Sequence, residues 1–99
     1  MIKEKKLNPK VIIPVDLFGL PADYEKIHNI AKKYNLLILE DAAQGFGGSI
    51  NGKNNGSFGN AAITSFFPAK PLGCYGDGGA IFTNDDELAY KIRGIVNHG

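Results

Sequence analysis

Two short apolar segments that flank one amphipathic segment limit what this chain can fold into. Residues 11–15 form an apolar run interrupted by Pro14, and residues 36–39 are largely apolar throughout. Between them, in residues 22–34, apolar side chains recur at helical spacing, and Asp23 is placed to cap the start. A strand, a helix and a second strand with short connections form a βαβ unit, which predicts a parallel sheet. Because the second strand has no polar face, we expect it to be covered on both sides.

Glycine is concentrated in the middle of the chain. Glycine makes up 13 of the 99 residues, about twice the ~7% of average usage, and ten of the 13 lie between Gly45 and Gly79. Residues 45–60 and 68–78 are therefore predicted to be loops, the first with a tight hairpin turn. Function should be sought in this stretch.

The elements after the first loop extend the sheet. Residues 61–66 and 79–83 are predicted strands, and a final helix is expected to begin with Asn84 as its N-cap. No linker divides the chain, so residues 1–99 are treated as one unit. The prediction is an α/β fold with a mainly parallel sheet and flanking helices, thin enough to leave at least one unsatisfied edge.

Length and charge exclude several classes of protein. Lys plus Arg (11) nearly balance Asp plus Glu (10), so the formal net charge is +1 over 99 residues. That balance gives no reason to expect a nucleic acid or a membrane surface as a partner. The single cysteine, Cys74, excludes an intrachain disulfide, and His28 and His98 lack ligand-like spacing, so no metal site is expected. Residues 1–10 form a lysine-rich tail or helix end without the apolar region of a secretion signal, so we expect a cytoplasmic protein.

Three chemically capable side chains lie at predicted strand ends or just beyond them. Asp41 follows the second apolar strand, at the edge where open α/β sheets bind their ligands. Ser65 is near the end of the next predicted strand, and Lys70 follows in a loop between prolines. Taken singly, a strand-end carboxylate usually forms a turn and a loop lysine is usually solvated. Together they suggest a cofactor site, where the lysine amine bonds to an aldehyde and the carboxylate keeps a ring nitrogen protonated.

Several motifs in consistent order resemble one enzyme family. They include Glu-Asp-Ala-Ala-Gln (40–44), Gly-Ser-Phe-Gly (56–59), Ser-Phe-Phe-Pro-Ala-Lys (65–70) and Gly-Asp-Gly-Gly (76–79). The chain resembles the DegT/DnrJ/EryC1/StrS sugar aminotransferases from about residue 11 to residue 99. The resemblance implies an enzyme with pyridoxal 5'-phosphate as cofactor and the aspartate aminotransferase fold (fold type I). Residues 1–99 would be a fragment of its three-layer α/β/α large domain, which binds the cofactor.

The same resemblance implies roles for four residues. Asp41 would pair with the pyridinium nitrogen of the cofactor, and Gln44 would lie against the ring or hydrogen-bond its phenolic oxygen. Ser65 would donate its hydroxyl to the cofactor phosphate. Lys70 would bond to the cofactor aldehyde and, once displaced by the amino donor, move a proton between substrate and cofactor carbons. Family members that catalyse dehydration carry histidine in place of this lysine, so Lys70 favours transamination.

The motif sequences also indicate a substrate class. Residues 14–19 and 65–80 most resemble enzymes that aminate nucleotide-linked keto-sugars, in particular UDP-linked N-acetylated 3-keto sugars used in bacterial surface-polysaccharide synthesis. Glutamate is the usual amino donor in the family, and a homodimer is expected for the full-length enzyme. Because family members are several times longer, this chain alone is expected to hold part of a catalytic site and to be inactive.

Two alternatives remain open on the sequence. The chain could be a flavodoxin-like module without catalytic activity, in which Asp41 and the glycine-rich loops hold a nucleotide or a phosphate. It could also be a vestigial fragment that only associates with another protein through its sheet edge. The first alternative leaves the combination of Ser65 and Lys70 unexplained.

Overall fold

Six strands and two α-helices make up residues 7–98, the part of the chain that the computed structural model describes. Residues 1–6 and residue 99 lie outside it, and with them most of the lysine-rich start interpreted as a tail. The elements are β1 (Val11–Ile12), α1 (Tyr24–Tyr34), β2 (Leu37–Asp41), β3 (Ser49–Ile50), β4 (Lys53–Asn54), β5 (Ala61–Ser65), β6 (Gly79–Phe82) and α2 (Asp86–His98). Among residues 7–98, neither helix has the length and apolar character needed to cross a membrane.

Four strands form one mixed sheet in the order β1–β2–β5–β6. The pairs β1–β2 and β2–β5 are parallel, which confirms the βαβ unit, whereas β6 runs antiparallel to β5. Strand β1 is shorter than predicted and stops at Ile12. Pro14 has no N–H to donate to the ladder, and the segment returns to the sheet only through a bridge between Val15 and Asp41.

Helix α1 covers one face of this sheet. The Asp23 side chain accepts a hydrogen bond from the Lys26 N–H at 3.1 Å, so the predicted cap is confirmed. Asn35 ends the helix in the left-handed conformation, with φ of 52°. The apolar side of α1 packs against β2 and against Phe58 of the glycine-rich loop. The buried core consists of Tyr24, Ala31, Leu36, Ile38 and Phe58.

Strand β2 is buried on only one face among the described residues, which corrects the prediction that both faces are covered. Ile38 and Glu40 are buried on the α1 side, but Leu37, on the other side, is 56% exposed. The apolar sequence of β2 permits burial of both faces, but it does not require it. Within residues 7–98, no element lies over Leu37.

Helix α2 lies on the face opposite α1. Its Ile92 and Val96 line a cleft with Ile63 and Ile81, two paired residues whose side chains point away from the α1 side of the sheet. The described residues therefore form three layers, with a helix on each side of the sheet. The cleft is open, since Val96 is 72% exposed.

The N-cap of α2 is Asp85 and not Asn84, which corrects the prediction. The Asp85 carboxylate accepts a hydrogen bond from the Leu88 N–H at 2.9 Å. A capping side chain satisfies the N–H two or three residues after it, and the helix begins at Asp86, so the residue directly before it is in the capping position. Glu87 forms an ion pair with Lys91 instead of completing a capping box.

Strands β3 and β4 form the predicted hairpin inside the glycine-rich loop. Asn51 and Gly52 make its turn with φ values of 52° and 77°. Positive φ at both central residues is the geometry of a type I′ turn, which Asn-Gly favours because both residues tolerate it.

Candidate active site

Asp41 and Ser65 lie at neighbouring strand ends on the same face of the sheet. Asp41 ends β2 and pairs with Ile63, two residues before Ser65 ends β5. The Oδ1 atom of Asp41 accepts a hydrogen bond from the Ala43 N–H at 3.0 Å, and no residue in 7–98 donates to its Oδ2 atom. The Oγ atom of Ser65 accepts from the Phe67 N–H at 3.2 Å, so its own O–H is available to donate.

Lys70 lies in the loop between β5 and β6, and the two ends of this loop are held together. The Phe66 N–H donates to the Gly78 carbonyl at 2.8 Å, and the Phe66 carbonyl accepts from the Cys74 N–H at 2.7 Å. The Lys70 N–H donates to the Phe67 carbonyl at 2.8 Å and closes a turn just before the lysine. Backbone hydrogen bonds therefore determine where the lysine side chain leaves the loop.

One open cavity brings two of the four predicted residues together. It has a volume of about 480 Å³ and is lined by Phe18, Gln44, Phe67, Ala69, Lys70 and Pro71. Gln44 and Lys70 thus face the same space. Asp41 and Ser65 are not part of this lining, although Asp41 is three residues before Gln44 and Ser65 five residues before Lys70. An amide, an amine and apolar surface in one cavity suit a small ligand that has a ring and polar substituents.

Phe18 is a cavity residue that sequence reasoning missed. Its backbone has a φ of 57°, a left-handed conformation that is rare for a bulky residue, and its side chain is 89% exposed. The next residue, Gly19, donates its N–H to the Gln44 carbonyl at 3.1 Å, which ties the turn to the cavity wall. No sequence signal indicates this, because phenylalanine has no preference for left-handed backbone.

Two fully buried carboxyl side chains, Asp16 and Glu40, form a pair that the sequence analysis also missed. The Glu40 carboxylate accepts hydrogen bonds from two backbone N–H groups of the glycine-rich loop, those of Gly56 and Phe58, the latter at 2.7 Å. One signal could have predicted its burial. Glu40 is two residues after Ile38, so strict alternation along β2 puts both on the face that α1 covers.

Burial raises the pKa of Glu40 above its ordinary value of 4.5. The neighbouring Asp16 carboxylate raises it further, whereas the N–H groups of Gly56 and Phe58 act in the opposite direction. The folded state therefore binds this proton more tightly than the unfolded state. The stability that results is fully present below the unfolded pKa and is lost as the pH rises through the folded pKa.

We expect the substitution Glu40→Gln to remove this pH dependence. As the pH rises above 4.5, the free energy of unfolding of the wild type should fall relative to that of the variant, by at most about 1.4 kcal/mol per pH unit. Urea titrations at several pH values measure it, and Glu25→Gln at the exposed start of α1 is the control. Parallel profiles for the wild type and Glu40→Gln would contradict the prediction.

Comparison with known proteins connects this geometry to a family. The model of the DegT/DnrJ/EryC1/StrS aminotransferase family matches residues 1–99. A UDP-2-acetamido-2-deoxy-3-oxo-D-glucuronate aminotransferase of Pseudomonas aeruginosa is 61% identical over 90 residues, which are 91% of this chain and 25% of that protein.

Solved structures agree with the sequence match. A crystal structure of a DegT DnrJ EryC1 StrS aminotransferase from Brucella abortus superposes with a TM-score of 0.94 and 59% identity, covering 99% of this chain and 26% of that chain. NtdA from Bacillus subtilis, crystallised with bound cofactor PMP, has a TM-score of 0.73 and 40% identity over 83% of this chain and 18% of its own. The chain thus spans about a quarter of the length of the Pseudomonas aeruginosa and Brucella abortus proteins. It belongs to the DegT/DnrJ/EryC1/StrS aminotransferase family.

Proposed function

We propose that residues 1–99 are part of the cofactor-binding large domain of a pyridoxal-phosphate-dependent aminotransferase. The enzyme transfers an amino group from an amino acid, glutamate, to a nucleotide-linked keto-sugar. The observation that carries this proposal is the shared cavity of Lys70 and Gln44, next to strand ends that hold Asp41 and Ser65. Fold and family membership agree with it.

The described residues fit pyridoxal phosphate in their chemistry. The amine of Lys70 can bond to an aldehyde carbon, and the free O–H of Ser65 can donate to a phosphate oxygen. The Oδ2 atom of Asp41 can accept from a protonated ring nitrogen, because only Oδ1 is engaged by the Ala43 N–H. The cavity volume of about 480 Å³ is within the range of roughly 300–1,000 Å³ that small-molecule sites occupy.

The chemistry divides between the cofactor and the side chains. When bound, pyridoxal phosphate supplies an aldehyde that takes up the amino group and a ring that withdraws electron density from the substrate carbon. Asp41 holds the ring nitrogen protonated, because a carboxylate beside it favours the charged form. Ser65 anchors the phosphate, and Gln44 orients the ring through its amide. The Nζ atom of Lys70 would accept the proton from the α-carbon of the amino donor and deliver it to the cofactor carbon that takes up the amino group.

The relative from Pseudomonas aeruginosa supports the choice of sugar. Its name gives a UDP-linked, N-acetylated 3-oxo sugar acid, and it is 61% identical over 91% of this chain. We therefore propose a UDP-linked N-acetylated 3-keto sugar as substrate. The place of action would be bacterial surface-polysaccharide synthesis in the cytoplasm, with the full-length enzyme a homodimer.

A graft tests the proposed function in a full-length context. The 90 matching residues of this chain replace the corresponding quarter of the Pseudomonas aeruginosa aminotransferase. Amination of its 3-keto sugar is followed by mass spectrometry with glutamate as donor. We expect the graft to keep activity within about tenfold of the parent, a loss of no more than ~1.4 kcal/mol of transition-state stabilisation. The graft with Lys70→Ala is the control and should be inactive.

The outcome separates chemistry from folding. A graft that folds and dimerises as the parent does but transfers no amino group would contradict the proposed function. A graft that aminates other nucleotide sugars and not the UDP-linked 3-keto sugar would contradict only the substrate proposal.

A further inference from the structure

Asp16 is a fully buried carboxylate that joins three separate segments of the chain. Its Oδ1 atom accepts hydrogen bonds from the Ala22 N–H at 2.9 Å and from the Tyr24 hydroxyl at 2.8 Å. Its Oδ2 atom accepts from the Asn55 side-chain amide at 2.8 Å. The donors belong to the segment before α1, to α1 itself and to the glycine-rich loop. A buried carboxyl group with three donors is held in one position, because breaking any of these bonds leaves an unpaired polar group.

The backbone around Asp16 holds the residues proposed to contact the cofactor. The Asp16 N–H donates to the Asp41 carbonyl, and the Asp41 N–H donates to the Pro14 carbonyl, both at 2.9 Å. Further along the same segment, the Gly19 N–H donates to the Gln44 carbonyl at 3.1 Å. Residues 14–19 therefore hydrogen-bond to the backbone of Asp41 at one end and of Gln44 at the other. The Asp16 carboxylate holds this segment in place.

We propose that Asp16 is a positioning residue: its buried carboxylate keeps residues 14–19 in place and thereby fixes the direction of the Asp41 carboxylate and of Gln44. The role of Asp41 and Gln44 in cofactor binding rests on the proposed function. The effect of Asp16 on the orientation of these two side chains does not depend on that function, and it can be measured without any cofactor.

Asn55 offers matched variants for this test. Its side-chain Oδ1 atom is buried and has no hydrogen-bond partner among the described residues. With Asp16→Asn, a half-turn of the Asn55 amide presents this oxygen to the new NH2 group, so shape and hydrogen bonding are largely kept. Asn55→Asp sets two carboxylates against each other and should disrupt the contact. The double variant Asp16→Asn/Asn55→Asp restores one amide opposite one carboxylate with the two sides exchanged.

Amide hydrogen exchange of the 99-residue chain, followed by NMR, is the readout. The Ala43 N–H reports the direction of Asp41, since it bonds to the Asp41 Oδ1 atom at 3.0 Å. The Cys74 N–H, bonded to the Phe66 carbonyl in the Lys70 loop, is the control. We expect Asp16→Ala and Asn55→Asp to accelerate exchange at Ala43 about tenfold or more, with less than about threefold change at Cys74. The double variant should return Ala43 to within about threefold of the wild type.

Each result decides the proposal. Acceleration of exchange that is confined to Ala43 and reversed in the double variant supports a positioning role. A purely structural role of Asp16 would not produce this pattern. An unchanged Ala43 rate in Asn55→Asp, or a double variant no better than the single ones, would overturn it. So would equal acceleration at both amides in all variants, because that indicates general destabilisation. If Asp16→Ala does not fold, the comparison of Asn55→Asp with the double variant still tests the positioning role. Adduct formation at Lys70 is measured separately, so the proposed function can fail while this inference holds.

Discussion

Lys70→Ala is expected to abolish the site-specific adduct between this chain and pyridoxal phosphate. Lys70 lines a cavity, whereas lysines such as Lys91 are exposed and ion-paired on a helix surface. An aldehyde bound in the cavity is held beside one amine. Well-oriented groups of this kind react with effective concentrations far above those in solution, reaching roughly 10⁵–10⁸ M. Borohydride reduction makes the bond permanent, and peptide mass mapping locates it.

The matched control is Lys91→Ala, which should leave the adduct at Lys70 intact. At low cofactor concentration, we expect labelling at Lys70 to exceed that at any other lysine by at least about tenfold. Labelling spread evenly over all lysines and unchanged in Lys70→Ala would contradict the prediction. The cofactor site would then require parts of the enzyme outside these 99 residues.

Gly59→Ala is expected to cause the largest loss of stability among single substitutions of glycine by alanine. A Cβ atom at this position would lie 2.5 Å from the Ala61 carbonyl oxygen and 2.7 Å from that of Ile38. Both are backbone atoms of paired strands, so neither can move without breaking the sheet. The adjacent Asn60 holds this approach with two hydrogen bonds to the Ile38 backbone, each 2.8 Å long. We expect a loss of about 3 kcal/mol or more in the free energy of unfolding.

Gly94→Ala on α2 is the matched control for this prediction. Apart from its chain neighbours and its own helix backbone, no atom of residues 7–98 lies within 4 Å of a Cβ at that position. Alanine is about 1 kcal/mol more favourable than glycine inside a helix. Urea titrations should therefore show opposite signs for the two substitutions. Equal or small effects of both would mean that the backbone at Gly59 relaxes more easily than its contacts indicate.

Local sequence patterns predicted the fold well for elements whose structure is determined by residues close together in the chain. The βαβ unit follows from the apolar periods of residues 11–39, and the caps Asp23 and Asn35 follow from side-chain chemistry within one turn. The direction of β6 could not be predicted in this way, because its pairing depends on the path of the long loop before it. The superposition with the Brucella abortus aminotransferase, at a TM-score of 0.94, counts against a flavodoxin-like module. The association alternative stays a prediction.

The sequence allowed the residues of the site to be predicted, but not the hydrogen-bond network that holds them in place. Asp41, Gln44, Ser65 and Lys70 were named from their positions at strand ends and from a family resemblance, and the structure brings Gln44 and Lys70 to one cavity. Asp16 was not singled out, because its importance arises from donors 6, 8 and 39 residues away. Contacts at such separations leave no periodic trace in a single sequence.

The antiparallel pairing of β5 and β6 has a consequence for how this enzyme family can diversify. Ser65 and Gly79 face each other in the sheet, so the loop that carries Lys70 leaves and returns at one point. The hydrogen bond from the Phe66 N–H to the Gly78 carbonyl closes it there. An insertion within residues 66–78 therefore lengthens the loop without changing the register of β5 against β6, so homologues can differ in this loop and keep the same sheet.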